Sequence, residues 1–288
     1  MLQNYLSLIK FSHTIFALPF ALVGFFLGVI YTGGDIPFDK LIYVILAMVF
    51  ARSAAMAFNR YADRKIDKAN PRTASREIAA GIIKPQNVLI FIIINVGLFV
   101  LVSWMINPLC FALSPVALLV VLGYSYTKRF TSLSHYVLGV GLALSPIGAY
   151  LAVTGQFALI PILYSIVVFT WVAGFDIIYS LQDEQFDKSQ ALHSIPTFLG
   201  SKKALTLSTL THVLTAGIMT YAIYLTVNSL DPINWITWFG GLVFVSSLIY
   251  QHLIVKPDDL SRVNLAFFTT NGVASAIFGL LFVLDYFI

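Results

Sequence analysis

Two stretches of the chain carry acidic side chains at a spacing suited to holding cations. The first runs from Asn59 through Asp63 to Asp67. Residues four and eight apart fall on one face of a helix, so these three oxygen donors would project together. The second contains Asp176, Tyr179, Ser180, Asp183 and Asp187, whose 3-4-4 rhythm keeps one face in the same way. Carboxylates with an amide oxygen are hard ligands, suited to Mg2+ rather than zinc. Mg2+ keeps several waters and is usually held by one or two carboxylates together with substrate phosphates. Two carboxylate faces meeting across a cavity would repel one another unless cations lay between them. Basic residues stand nearby: Arg72 and Arg76 follow the first cluster, and Lys128 with Arg129 ends another apolar run. The inferred ligand is a Mg2+-bound diphosphate. Taken singly, Asp187, Glu184, Lys188 or Lys65 would pass for solvated helix ends, but the same one-face pattern at two helix ends does not.

The elements that must position these groups are membrane spans. Of 288 residues, 59% are hydrophobic and 10% charged, against about 25% charged in an ordinary soluble domain. That balance excludes a disordered chain and leaves a soluble globule nowhere to put its apolar surface. Apolar runs predict nine spans near 14–32, 41–61, 86–106, 109–124, 134–154, 160–181, 204–226, 234–254 and 264–285. No segment alternates polar and apolar residues as a transmembrane barrel strand does. The expected fold is an all-α multi-pass transmembrane bundle forming one membrane-embedded domain, 1–288. Asp63 and Asp183, like Asp67 and Asp187, are 120 residues apart, an offset that hints at a parallel pseudo-repeat of 1–132 and 133–254.

Nine spans with the N-terminus inside and the C-terminus outside put fifteen Lys/Arg in or beside cytoplasmic segments and only Lys40 opposite, with Arg52 inside a span. This is the positive-inside asymmetry, and it places both acidic clusters at cytoplasmic helix ends. The net charge of +4 is thereby assigned to cytoplasmic loops rather than to a nucleic-acid partner. The run from His13 to Tyr31 reads as a retained span rather than a signal peptide, and the expected location is a bacterial inner membrane. A single cysteine, Cys110, excludes a disulfide framework and a Cys-rich metal site.

Arg52 and Asp176 lie deeper. Arg52 precedes Asn59 by seven residues, about 10 Å further into the bilayer at 1.5 Å per residue. A charge at that depth costs several kcal/mol unless it faces a partner or a wet cavity, so both should point inward. His13, His135, His193, His212 and His252 show no ligand spacing and read as packing or interfacial residues. Gly24 and Gly28 have the small-xxx-small spacing of close helix packing. Pro19, Pro115 and Pro146 fall inside spans and are expected to kink them.

With these residues in place, the sequence resembles the UbiA superfamily of intramembrane prenyltransferases over its whole length. The matching stretches are Arg52 to Asp67, Asn70-Pro71-Arg72-Thr73, Arg76-Glu77, Tyr124 to Lys128, and the Asp176, Tyr179, Ser180, Asp183 and Asp187 run. The resemblance implies Mg2+ held by Asn59, Asp63 and Asp67, and a second ion by Asp183 and Asp187. It implies diphosphate binding by Lys128, Tyr124, Arg72 and Tyr179, with Asp63, Asp67, Asp183 and Asp176 serving catalysis. The implied partners are a polyprenyl diphosphate and a small aromatic acid, in a lipid membrane and without nucleic acid. Arg52 is the candidate for the acid's carboxylate, and Asp176 for orienting its hydroxyl or taking a proton. The run from Asn70 to Glu77 is similar to the 4-hydroxybenzoate branch of ubiquinone synthesis. The run from Lys10 to Leu22 resembles a bacterial branch tied to menaquinone and a dihydroxynaphthoate acceptor. Arg60 stands where many members carry Asp, while the Asn/Asp/Asp spacing survives.

Two other classes place carboxylates in membranes. A secondary transporter would favour broken helices near the midplane over two acidic faces at one surface. A phosphotransferase using CDP-linked substrates would carry a compact motif with an Asp-Gly element ahead of Ala-Arg, and no Asp-Gly pair occurs here.

Overall fold

The computed structural model describes residues 2–9 and 17–288, so Lys10 and His13 lie outside the described residues. The described chain is helical, with one isolated bridge between Lys256 and Asp259. The helices are α1 (Leu2–Leu8), α2 (Leu18–Thr32), α3 (Phe38–Ala69), α4 (Pro85–Ile106), α5 (Pro108–Thr127) and α6 (Ser134–Thr154). They continue as α7 (Leu159–Ser180), α8 (Glu184–Ser189), α9 (Ile195–Leu199), α10 (Ser201–Ser229), α11 (Trp235–Ile254) and α12 (Asn271–Phe287). A π-helical stretch, Leu265–Thr270, leads into α12.

Eight helices among the described residues are long and apolar enough to cross a bilayer. The first expected span, 14–32, is represented by α2, whose 15 residues reach about 22 Å at 1.5 Å each; positions 14–16 lie outside the described residues. Pro19 does not interrupt α2. It occupies the first turn, where its missing N–H is not needed. The break between the third and fourth spans is an N-cap: the Asn107 side chain accepts the Cys110 N–H at 2.8 Å, and its amide donates to Leu151 O at 2.8 Å. Pro115 and Pro146 do lie inside helices, in α5 and α6.

Helix α7 is the most buried of the spanning helices. Its Trp171 is fully buried among Phe20, Phe175 and Phe244, with ring centroids 5.2–5.5 Å away. Around Trp171 and the helix ends, buried polar groups pair with one another, as a lipid-embedded core favours. Trp171 Nε1 donates to Asn271 Oδ1 at 2.8 Å, and Gln251 Nε2 donates to the same oxygen at 2.7 Å. The Asn271 amide in turn donates to Ala266 O and Phe267 O inside the π-helical stretch. His212 and His252, far apart in sequence, meet with Nδ1 and Nε2 2.8 Å apart. Asp285, 1% exposed, accepts from the Asn234 and Thr237 N–H groups and from Thr237 Oγ1, capping α11 from α12. Gly24 lets α2 meet α6: a Cβ there would lie 1.9 Å from Pro146 O.

Candidate active site

Helix α3 continues beyond the apolar segment, and this extension carries Asn59, Asp63 and Asp67 along one face. It stops at Asn70, whose extended backbone precedes Pro71 and whose Oδ1 accepts the Arg72 N–H at 2.9 Å. Helix α7 ends differently from the expected continuous face. After Ser180 the chain tightens into a 3-10 turn, Leu181–Asp183, before α8 begins. In a 3-10 turn residues three apart eclipse one another, which sets Asp183 in line with Ser180.

Both helix ends face one cavity of about 220 Å3. Asn59, Asp63, Asp67, Arg72, Tyr124, Lys128, Asp176, Tyr179, Asp183 and Asp187 all line it. Arg52 does not. It lines an adjoining chamber of about 390 Å3, walled mainly by apolar side chains of α2 to α6, and its Nε is buried without a hydrogen-bond partner. Tyr124 and Leu138 line both spaces. The chamber's serines do not make it polar, because Ser103, Ser114 and Ser145 donate to the backbone carbonyls of Phe99, Phe111 and Ala17.

Three of the cavity's carboxylates are paired with cationic side chains. Buried Asp63 accepts Lys128 Nζ at 2.5 Å and Arg129 Nη2 at 2.8 Å. Asp67 accepts Arg76 Nη1 at 2.6 Å. Asp183 accepts Arg72 Nε at 2.9 Å and Asn70 Nδ2 at 3.0 Å, with Arg72 Nη2 on its second oxygen. Burial disfavours the Arg72 charge, but its hydrogen bond to Asp183 and the neighbouring Tyr179 and Asp183 more than offset this and raise its pKa above the ordinary value. Among the described residues no three carboxylate, imidazole or thiol groups converge on one point. Oxygen donors spread over two walls suit cations shared with a phosphate better than an all-protein cage.

Several site residues escape sequence reasoning. His135, read above as packing, lines the cavity, and its Nδ1 lies 2.7 Å from Asp176 Oδ2. Asn70 touches Asp183 across 113 residues of sequence, and Arg129 shares Asp63 with Lys128. The Asn70 contact had a signal, since Asn70 belongs to the stretch that carries the resemblance. The His135 contact had none.

Comparison with known proteins converges on the same architecture. The model of the UbiA prenyltransferase family matches residues 17–273. A 4-hydroxybenzoate octaprenyltransferase of Aliivibrio salmonicida is 30% identical over 239 residues, covering 83% of this chain and 81% of its own. The enzyme of that name from Nitrosomonas eutropha is 30% identical over 243 residues, covering 83% and 81%. Among solved structures, the apo form of a UbiA homolog from Aeropyrum pernix K1 superposes with a TM-score of 0.84 at 30% identity, covering 95% of this chain and 98% of that one. A UbiA homolog from Archaeoglobus fulgidus bound to GPP and Mg2+ shares the fold with a TM-score of 0.74 at 20% identity, covering 99% of this chain and all of that one. The chain belongs to the UbiA prenyltransferase family and is an integral membrane prenyltransferase.

Proposed function

We propose that the protein transfers a polyprenyl group from its diphosphate to an aromatic acid of the 4-hydroxybenzoate type, in quinone synthesis. The carrying observation is a cavity where two acid-bearing helix ends and several cations meet, joined through Tyr124 to an apolar chamber. The polar space suits a diphosphate and the chamber a hydrocarbon tail. The curated relatives' name, 4-hydroxybenzoate octaprenyltransferase, and the GPP and Mg2+ of a structural neighbour support the same reading.

The donor set fits Mg2+, with Asn59, Asp63 and Asp67 holding one ion and Asp183 with Asp187 a second. When bound, these ions neutralise charge on the departing diphosphate and so lower the barrier to breaking the allylic C–O bond. Lys128, Arg72, Tyr124 and Tyr179 bind the diphosphate oxygens. Lys128 and Arg72 now sit on Asp63 and Asp183, and they exchange these partners for phosphate as the substrate enters. Arg52 receives the acceptor's carboxylate, the one anion offered to a guanidinium whose Nε is otherwise unpartnered. Asp176 orients the ring hydroxyl or takes its proton. The chamber's apolar wall keeps water from the allylic carbon while the ring, activated ortho to its hydroxyl, attacks.

The Lys/Arg asymmetry of the loops supports a site open to the cytoplasmic face of a bacterial inner membrane. The deciding assay gives purified protein Mg2+, a radiolabelled polyprenyl diphosphate and separate aromatic acids. Label should move to 4-hydroxybenzoate and stop with EDTA. Transfer to a dihydroxynaphthoate alone would replace the acceptor. Flux of substrate across liposomes without any product would replace the reading by transport.

A further inference from the structure

Behind Asp176 stands an imidazole that the chemistry above does not use. The His135 side chain is 4% exposed, whereas the Asp176 side chain is 20% exposed, and the two meet with Nδ1 2.7 Å from Oδ2. The other ring nitrogen, Nε2, faces the Ile195 N–H at 3.3 Å. A backbone N–H pairs only with an unprotonated ring nitrogen, so this network puts the imidazole proton on Nδ1, where it donates to Asp176.

The fold holds this ring from three sides. A Cβ at Gly139 would lie 2.4 Å from Phe169 O, so α6 and α7 run in near backbone contact there. His135 is one turn from Gly139, and Asp176 is two turns from Phe169, on the same facing stripes. The Ile195 N–H is fixed by the turn that starts α9, where Ser194 and Thr197 form a reciprocal capping box. The adjacent His193 N–H donates to Lys128 O at 2.7 Å, tying that segment to the end of α5.

We propose that His135 is a positioning residue for prenyl transfer: it holds Asp176 by Oδ2, leaving Oδ1 presented to the acceptor's ring hydroxyl. This rests on the aromatic-acceptor reading given above. Because Nε2 is occupied by Ile195, His135 passes no proton onward and acts only through Asp176. As the ring's ortho carbon bonds to the allylic carbon, the C–O electron pair leaves with diphosphate. The hydroxyl proton shifts to Asp176 Oδ1, and its O–H pair enters the ring to give a dienone. Loss of the ring-carbon proton to water, with return of the Asp176 proton to oxygen, restores the aromatic ring. The backing hydrogen bond keeps the carboxylate aimed at the hydroxyl, which matters most for a phenol that still carries its proton when it reacts.

The test uses the full chain in nanodiscs with Mg2+, farnesyl diphosphate and two acceptors, 4-hydroxybenzoate and the more acidic 2,6-difluoro-4-hydroxybenzoate. His135→Asn, too short to reach Asp176, should lower kcat for 4-hydroxybenzoate about 100-fold and for the fluorinated acid about tenfold or less. The KM for farnesyl diphosphate should stay within about twofold, since the two His135 ring nitrogens bond to Asp176 and the Ile195 N–H rather than to a diphosphate-binding group. His135→Gln, which keeps a donor and an acceptor, should recover most of the loss. In an Asp176→Asn background His135→Asn should add nothing, because the two act as one unit. Equal losses with both acceptors, additive losses with Asp176→Asn, or no loss would overturn the proposal. If His135→Asn does not fold, the same acceptor ratio and the same Asp176→Asn comparison are made with His135→Phe, which fills the site without a donor, and additivity there overturns it. Wild-type protein that prenylates neither acid would remove the 4-hydroxybenzoate reading and the proposal together, whereas an active wild type with an indifferent His135 removes the proposal alone.

Discussion

Arg72 joins the two acidic helix ends: its Nε donates to Asp183 Oδ1 at 2.9 Å, and its Nη1 donates to the Tyr179 hydroxyl at 2.9 Å. The guanidinium also lies 5.2 Å from the Tyr179 ring centroid, and that ring stacks on Phe267 at 4.1 Å. Arg72 is thus held ready beside the cavity by groups it can leave. Its side chain is 31% exposed, so the pair adds only about 0–1 kcal/mol to stability. Arg72→Ala should leave thermal unfolding nearly unchanged while raising the KM for prenyl diphosphate by roughly 10- to 100-fold, as for a lost charged hydrogen bond. Arg72→Lys should recover only part, because an ammonium cannot make the paired contact. A variant with wild-type KM would take Arg72 out of substrate binding.

Arg52 sits apart from every carboxylate of the polar cavity, in the chamber wall. Arg52→Ala should raise the KM for 4-hydroxybenzoate about tenfold or more, and that for the diphosphate far less. The preference for 4-hydroxybenzoate over its uncharged amide should collapse with it. Steady-state kinetics on both acceptors measures this directly. An unchanged acceptor KM would assign the carboxylate elsewhere.

The chamber can be narrowed without disturbing its walls. Gly148 lines it and has nothing within 4 Å of where a Cβ would stand. Gly148→Phe should therefore fold normally but shift use from long polyprenyl diphosphates toward geranyl diphosphate. Competition between labelled short and long donors reads the shift, and an unaltered ratio would place the tail outside the chamber.

Hydropathy and helical spacing made the spans and the acidic faces legible, because each is a property of neighbouring residues. Asn59, Asp63 and Asp67 share one helix, and their common direction follows from 3.6 residues per turn. The pairing of Asp63 with Arg129, 66 positions apart, depends on how α3 meets α5. Asp176 with His135, 41 positions apart, depends on the glycine contact between α6 and α7. No local pattern encodes such meetings. The 3-10 turn before Asp183 was hidden for a related reason: it nearly preserves the rhythm that a continuous helix would give.

Glycines in this bundle divide by what surrounds them. Gly24→Ala would drive a Cβ to 1.9 Å from Pro146 O, forcing α2 from α6 at a cost of about 1–3 kcal/mol or more. Gly97 has no atom near its Cβ position, so Gly97→Ala should be neutral or stabilising by up to about 1 kcal/mol. Thermal unfolding in detergent should separate the two variants clearly. Equal melting temperatures would contradict the close α2–α6 contact.

The central claim is that both acidic helix ends hold one diphosphate through Mg2+. It is tested most directly by calorimetric titration of farnesyl thiodiphosphate, which resists ionisation, into wild-type protein and the Asp63→Asn and Asp183→Asn variants, with and without Mg2+. The account predicts binding by the wild type that requires Mg2+, and affinity at least about 100-fold weaker in each variant, as for loss of a buried charge partner. Binding of equal strength without Mg2+, or in either variant, would contradict it.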